Sequence, residues 1–359
     1  MHIQKLGLLL LVSSFVFMKG SVFAQDQEVL EEPWQLQKTG VKASLRGLCV
    51  VDPKIVYSSG TGGTVIRTVD GGESWKDVSI AEAKELDFRD VHAFDANNAV
   101  VMSAGQPARF YKTKDGGKSW KKTFEHPNEK SFFDAISFWD KEHGIAMSDP
   151  IDGHILLLET RDGGDSWKEM EKSRRPAAMK GEGGFAASGT NMVVVGDSCW
   201  IALGSAEKDQ REVTSRIVYT FDRGKSWSEA IVMVPRNPSS GIFSMAFSGP
   251  YDGVAVGGDY LKPDVKDANI LMTRNAGQTW LKPIGKPPRG YRSGVAFAKR
   301  DKPQKVIAVG PTGTDLSVDG GINWKAASDT GFHAVAFTKD GKAGFASGSD
   351  GRIGKWVNR

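Results

Sequence analysis

Asp70, Asp115, Asp162, Asp222, Asn275 and Asp319 stand in one recurring pattern: each follows a Thr or Ser by two residues, precedes a Gly by two and a Trp by five. The copies lie 44 to 60 residues apart. Two chemistries are open to acids repeated in this way. They could serve as general acids and bases, or each could accept backbone N–H groups just ahead of it and close a tight turn. The glycine suits the turn, because it takes the positive φ that other residues resist. We read all six as structural residues that tie hairpins. Catalytic candidates then lie elsewhere, at Asp149, Glu182 and Asp259, with Tyr260 and Tyr291 nearby. A glycosidase needs two carboxyls, or a Tyr with an acidic partner, held a few ångströms apart. The spacing of these residues selects no pair.

Such residues need a scaffold, and self-similarity at this period marks a propeller or a solenoid. Between boxes the pattern is an apolar strand, a turn, a second strand, a variable loop, and a third strand running into the box. The second repeat shows it: Phe88–Phe94, Ala99–Met102, Phe110–Thr113 and then Ser119–Phe124. Three further strands follow the last box, at Phe332–Phe337, Ala343–Ser347 and Arg352–Trp356. Their missing fourth strand is found at Trp34–Thr39, ahead of the first repeat. The prediction is an all-β, seven-bladed β-propeller over residues 25–359, closed by residues 34–39 joining the C-terminal blade. Closure of this kind removes exposed sheet edges. Blade four departs most from the pattern and includes a charged run, Glu207–Glu212, read as a solvated loop. The connection Lys172–Lys180 is basic and expected to be exposed.

In propellers the first strand of each blade lines the central channel, and its loops surround a mouth where ligands sit. Aligning the seven first strands places Arg46, Arg89, Phe133, Phe185, Phe243, Arg292 and Phe332 at one level. The next position holds Gly47, Asp90, Asp134, Ala186, Ser244, Ser293 and His333. Three arginines converging on a pocket suit a carboxylate or phosphate, because the planar guanidinium binds two oxygens at once. The other reading pairs each Arg with Asp90, Asp134 or Glu182 as a structural network. The ligand-binding candidates are therefore Arg46, Arg89, Arg292, Asp90, Asp134, Phe133, Phe243, Tyr260, Tyr291 and His333.

Composition narrows the function classes. The 359 residues are 40% hydrophobic with a net charge of +4. That is enough for a large core, and no basic run suggests nucleic acid. The histidines show no metal-ligand spacing and neither Cys49 nor Cys199 has a CxxC partner, so no metal or cofactor is expected. Gly60-Thr-Gly62-Gly63 lacks the spacing and the helix of a nucleotide loop. Blades one and four face each other across the ring, which makes a Cys49–Cys199 bridge improbable. Both are read as buried small hydrophobes. His2 and Lys5 precede an apolar run, Leu6–Phe17, and Val22-Phe-Ala24 supplies small residues for cleavage after Ala24. Residues 1–24 are thus read as a signal peptide, and the mature chain as exported, periplasmic or secreted, not membrane-spanning, and monomeric.

The recurring S/T-x-D-x-G-x-x-W pattern resembles the Asp-box (BNR-type) repeat. With seven blades and Arg on inner strands, the chain most resembles the photosystem II stability/assembly factor family. That resemblance implies a non-enzymatic protein that binds a membrane-protein subunit through an Arg-lined patch, here matched by type at Arg46, Arg89 and Arg292. The expected function is an exported, non-catalytic binding or assembly-type propeller that takes an anionic ligand, peptide or glycan at its mouth. The alternative is an Asp-box glycoside hydrolase acting on an acidic or complex glycan. Sialidases share the boxes and an Arg triad, but have six blades and a Pro after the first inner-strand Arg motif. Here that strand reads Ser44-Leu-Arg46-Gly-Leu, without it. Xyloglucan-acting relatives place the site between two propellers, where this chain has room for one.

Overall fold

Trp34–Gln37 pairs antiparallel with Ile353–Trp356, so the first described strand becomes the outer strand of the last sheet. This closes the ring of a seven-bladed β-propeller, as the sequence pattern predicts. In the computed structural model, residues 31–205, 214–235, 238–266 and 269–357 are described. The segment read as a signal peptide and the run Glu207–Glu212 lie outside the described residues. Apart from strands, the regular structure of the described residues is two single 3₁₀ turns, Ala81–Ala83 and Lys172–Arg174. Among the described residues no helix is long and apolar enough to cross a membrane.

Each box closes its hairpin in the same way. Thr113 Oγ1 donates to Asp115 Oδ1 at 2.9 Å and accepts from the Gly117 amide at 2.8 Å. Asp115 then accepts from the Ser119 amide at 2.9 Å and from its hydroxyl at 2.6 Å. Asn275 keeps the arrangement by accepting from the Thr279 amide and donating Nδ2 to its hydroxyl. The box side chains are thus consumed within their own turns. Gly117 sits at φ +79°, and a Cβ there would meet Val78 at 2.6 Å, so conformation and space both demand glycine.

Packing between neighbouring blades forms the core. Phe88, Phe110, Phe133, Phe332 and Phe345 are wholly or almost wholly buried between sheets. Trp34 meets Phe332 at 5.2 Å and Trp356 at 4.9 Å between ring centroids, and donates its indole N–H to Thr314 Oγ1. Burying rings of this size contributes the dominant favourable term in such a fold.

Two blades depart from four strands. Blade five has three, Ser240–Phe247, Gly253–Asp259 and Ile270–Thr273. Only an isolated bridge between Met272 and Leu281 follows, because Pro283, Pro287 and Pro288 prevent a fourth ladder. Blade four has five, since its entry is split into Glu182–Gly183 and Met192–Val195, both paired with Ser198–Ser205. Residues 184–190 between them leave the sheet and cross the channel. The Ser188 hydroxyl donates to the Ser293 carbonyl of blade six. The Met245 amide of blade five donates to the Thr190 carbonyl. Arg89 Nη1 of blade two reaches the Ala186 carbonyl at 3.2 Å. Aligned by sequence, Phe185 stands among the ordinary inner-strand residues. It belongs instead to this strap.

Both cysteines are free. Cys199 is buried as expected, and Cys49 is half-buried, with its sulfur accepting from the Ala93 amide.

Candidate functional site

A β-bulge in each of four inner strands sets the geometry of the mouth. The ladders slip at Arg46, Arg89, Asp134 and Phe243, each an extra residue between two paired ones. A bulge turns two successive residues to the same side. The bulged residue therefore turns toward the channel, and the residue before the bulge points into the blade. Leu45, Phe88, Phe133 and Ile242 are those inward residues, none more than 2% exposed. The same count from the third strand puts Arg292 and Phe332 in that class and Ser293 and His333 in the channel-facing one.

The aligned level read from the sequence is therefore corrected in three blades. Phe133, Arg292 and Phe332 belong one residue earlier in register, facing the blade interior. Asp134, Ser293 and His333 take the places equivalent to Arg46 and Arg89. Arg292 is fully buried, and its Nε donates to Asp315 Oδ2 at 2.8 Å. Asp315 also accepts the Nε of Arg289 at 2.9 Å. For Arg292 the structural-network reading is the correct one, with Asp315 rather than the acids proposed.

The remaining candidates converge. Arg46, Arg89 and His333 face Phe185, Phe243, Tyr260 and Tyr291 across a pocket of about 440 Å³, floored by Gly184–Ala187 of the strap. Phe185 and Phe243 stack at 4.0 Å, and Tyr291 meets Phe243 edge-on at 4.8 Å. The pocket has one cationic and one aromatic wall. Arg89 is tied to Asp87 at 2.8 Å. Arg46 has no carboxylate within 4 Å among the described residues, and burial followed by the like charge of Arg89 pulls its pKa below the usual guanidinium value. His333 shares its Nε2 with the hydroxyls of Ser44 and Ser349. Burial, with Arg46, Arg352 and Arg89 around it, pushes its pKa down to about 4, so the ring is neutral at pH 7. Burial also raises the Tyr291 phenol.

The acids take other places. Asp90 is buried beneath the strap and accepts the amides of Val91 and Ile136, both at 2.8 Å. Burial raises its pKa to about 7. Asp149 accepts the Gly184 amide at 2.8 Å and is raised by burial to about 6. Asp134 is fully buried, and the nearby Ala186 amide closes no hydrogen bond to either carboxyl oxygen. Burial, then the neighbouring Asp149, holds its pKa well above the usual range. Glycines 183, 184 and 189 let the strap backbone press onto these three acids, leaving no room for a Cβ. Glu182 is locked by two hydrogen bonds at 2.6 Å from Arg216. Asp259 accepts the Leu261 amide in a turn. None of Asp149, Glu182 and Asp259 lines the pocket, and its lining holds no carboxyl group of the kind a glycosidase needs. Among the described residues no cluster of three metal-ligating side chains occurs.

The model of the photosynthesis system II assembly factor YCF48 matches residues 26–128. The fold is that of YCF48. A solved structure described as YCF48 bound to D1 peptide superposes with a TM-score of 0.62 at 17% identity, over 92% of this chain and 96% of that one. YCF48 from Cyanidioschyzon merolae gives 0.63 at 17% identity, over 90% and 98%. The GH74 xyloglucanase from Xanthomonas campestris gives 0.64 at 16% identity, over 89% of this chain but 53% of that longer one. A search of curated proteins finds no match.

Sequence reasoning missed Asp87, the strap and the Arg216–Glu182 lock. Glycines at 183, 184 and 189 were the available signal, since a backbone pressed against side chains needs them.

Proposed function

We propose that this chain is a non-catalytic binding propeller, of the assembly-factor kind, whose mouth takes a carboxylate-bearing peptide with an apolar or aromatic neighbour group. The observation that supports this most directly is Arg46, a desolvated guanidinium that forms no salt bridge among the described residues, facing a pocket beside Arg89. A carboxylate entering there supplies the missing charge through the planar fork, and the aromatic wall takes the apolar body. The peptide in the YCF48 complex lends the same class of ligand to this reading. We further propose export, on the strength of the leader-like residues 1–24, which N-terminal sequencing of the mature protein tests.

The deciding experiment is calorimetric titration with short peptides carrying either a free or an amidated C-terminus, and with acidic side chains present or absent. Acid-bearing peptides should bind, and Arg46→Ala should weaken them roughly ten- to hundredfold, the value of one charge-assisted contact. Arg292→Ala should leave affinity unchanged at temperatures where it stays folded. Equal binding of neutral and acidic peptides, or indifference to Arg46→Ala, overturns the proposal.

A further inference from the structure

Asp87 opens the inner strand of blade two, Asp87–Ala93, two residues before Arg89, with Phe88 between them buried in the blade. Arg89 donates Nε to Asp87 Oδ2 at 2.8 Å and Nη1 to the Ala186 carbonyl of the strap at 3.2 Å. Asp87 Oδ1 is buried without a hydrogen-bond partner, so among the described residues Arg89 is the one cation paired with this carboxylate. Its negative charge also reaches Arg46, where it opposes the like charge of Arg89. In five other blades the place two before the channel-facing residue holds Ser44, Phe132, Gly241, Tyr291 and Gly331. Asp87 is thus an acid set directly behind a pocket whose own lining carries two arginines and no carboxyl group.

We propose that Asp87 is a specificity-determining residue of the mouth, which leaves the Arg46–Arg89 pair with a single net positive charge and so selects ligands with one carboxylate over dianions. The inference rests on the mouth being the carboxylate site proposed above, and names the charge of its ligand. His333 adds nothing to the count, being neutral at pH 7. Asp90, Asp134 and Asp149 lie beneath the strap, where burial favours their neutral forms. The first carboxylate of a ligand pairs with Arg46, which forms no salt bridge among the described residues. A second carboxylate must displace Asp87 from Arg89. Asp87 is tethered within bonding distance, so its effective concentration there far exceeds that of an incoming group. The like charges also repel as the newcomer approaches.

The test is calorimetric titration of the folded full-length chain, at pH 7 and fixed salt, with three peptides of nearly one shape. Acetyl-Gly-Phe-Asn carries one carboxylate, acetyl-Gly-Phe-Asp carries two, and the amidated Asn peptide carries none. Wild type should prefer the first to the amidated form, and should bind the first two within about twofold, since the second meets no free cation. Asp87→Asn should raise the preference for the dianion about tenfold, the value of one charge-assisted contact. A merely structural Asp87 would weaken both acid peptides alike. Arg89→Gln should abolish the preference for acid over amidated peptide, because Asp87 then cancels Arg46, and adding Asp87→Asn should restore it. Failure of wild type to bind either acid peptide overturns the carboxylate reading of the mouth and this inference with it. A dianion bound tenfold tighter by wild type, or an unchanged ratio in Asp87→Asn, overturns the role of Asp87 alone. If Asp87→Asn does not fold, the wild-type ratio and Arg89→Gln still decide it, and an acid preference that survives in Arg89→Gln counts against the proposal.

Discussion

Arg292 and Asp315 form an ion pair in which neither side chain is exposed to solvent. Arg292 occupies the blade-facing place that Leu45, Phe88, Phe133, Ile242 and Phe332 fill elsewhere, so its charge has been carried into a hydrophobic layer. Breaking such a pair leaves an uncompensated buried charge, which typically costs about 3–5 kcal/mol. Asp315→Ala and Arg292→Ala should each lower the melting temperature sharply. Arg292→Leu combined with Asp315→Leu should recover much of that loss. Thermal unfolding of the two singles and the double variant checks this, and a double no more stable than the worse single would contradict it.

If the mouth takes an anion as proposed, the neutral His333 beside Arg46 and Arg89 should make that binding pH-dependent. Its folded pKa of about 4 lies below the ordinary histidine value, because burial first, and then three arginines, oppose a further charge. A bound carboxylate offsets that repulsion and raises the pKa. Affinity for an acidic peptide should therefore strengthen as pH falls from 7 toward 5, with proton uptake on binding. Titrations in buffers of different ionisation enthalpy read the uptake. His333→Gln should abolish it while retaining binding at pH 7.

Ring closure rests on Trp34, which packs on Phe332 and Trp356 and bonds to Thr314. Trp34→Ala should destabilise the fold by about 3–5 kcal/mol, in the range for a large buried aromatic. Deleting residues 33–39 should cost more, by stripping the outer strand from Ile353–Trp356. A deletion variant that melts with the full chain would show the closure to be dispensable.

The strap sits on three acids whose carboxyl pKa values are raised by burial, to about 7 at Asp90, about 6 at Asp149 and well above normal at Asp134. An unfolded Asp titrates near about 3.9. Between about pH 4 and 7 the folded state thus holds more protons than the unfolded one, and stability from these groups falls as pH rises. Melting temperature should drop between pH 5 and pH 8. Asp149→Asn and Asp90→Asn should flatten the slope, and wild-type-like slopes in both would exclude the strap acids as its cause.

The architecture was legible in the sequence because its determinants are local. A Thr, an Asp and a Gly at fixed spacing close a turn with their own atoms, as Thr113, Asp115 and Gly117 do, so six copies reveal the repeat without any distant contact. Alternation of apolar residues marks the strands, and the three strands after the last box imply a partner at Trp34. The mouth was only partly legible. Arg46, Arg89, Phe243, Tyr260, Tyr291 and His333 were identified and do meet, while Arg292 and Phe133 were placed on the wrong side of their strands. A bulge adds one residue without a signature of its own, and one residue of slip turns a side chain to the opposite face. Which Arg faces the channel is therefore decided by ladder register, and register is settled by packing between neighbouring blades. The strap was hidden for the same reason: glycines 183, 184 and 189 record that something lies close. Only the folded ring brings Asp90, Asp134 and Asp149 beneath them.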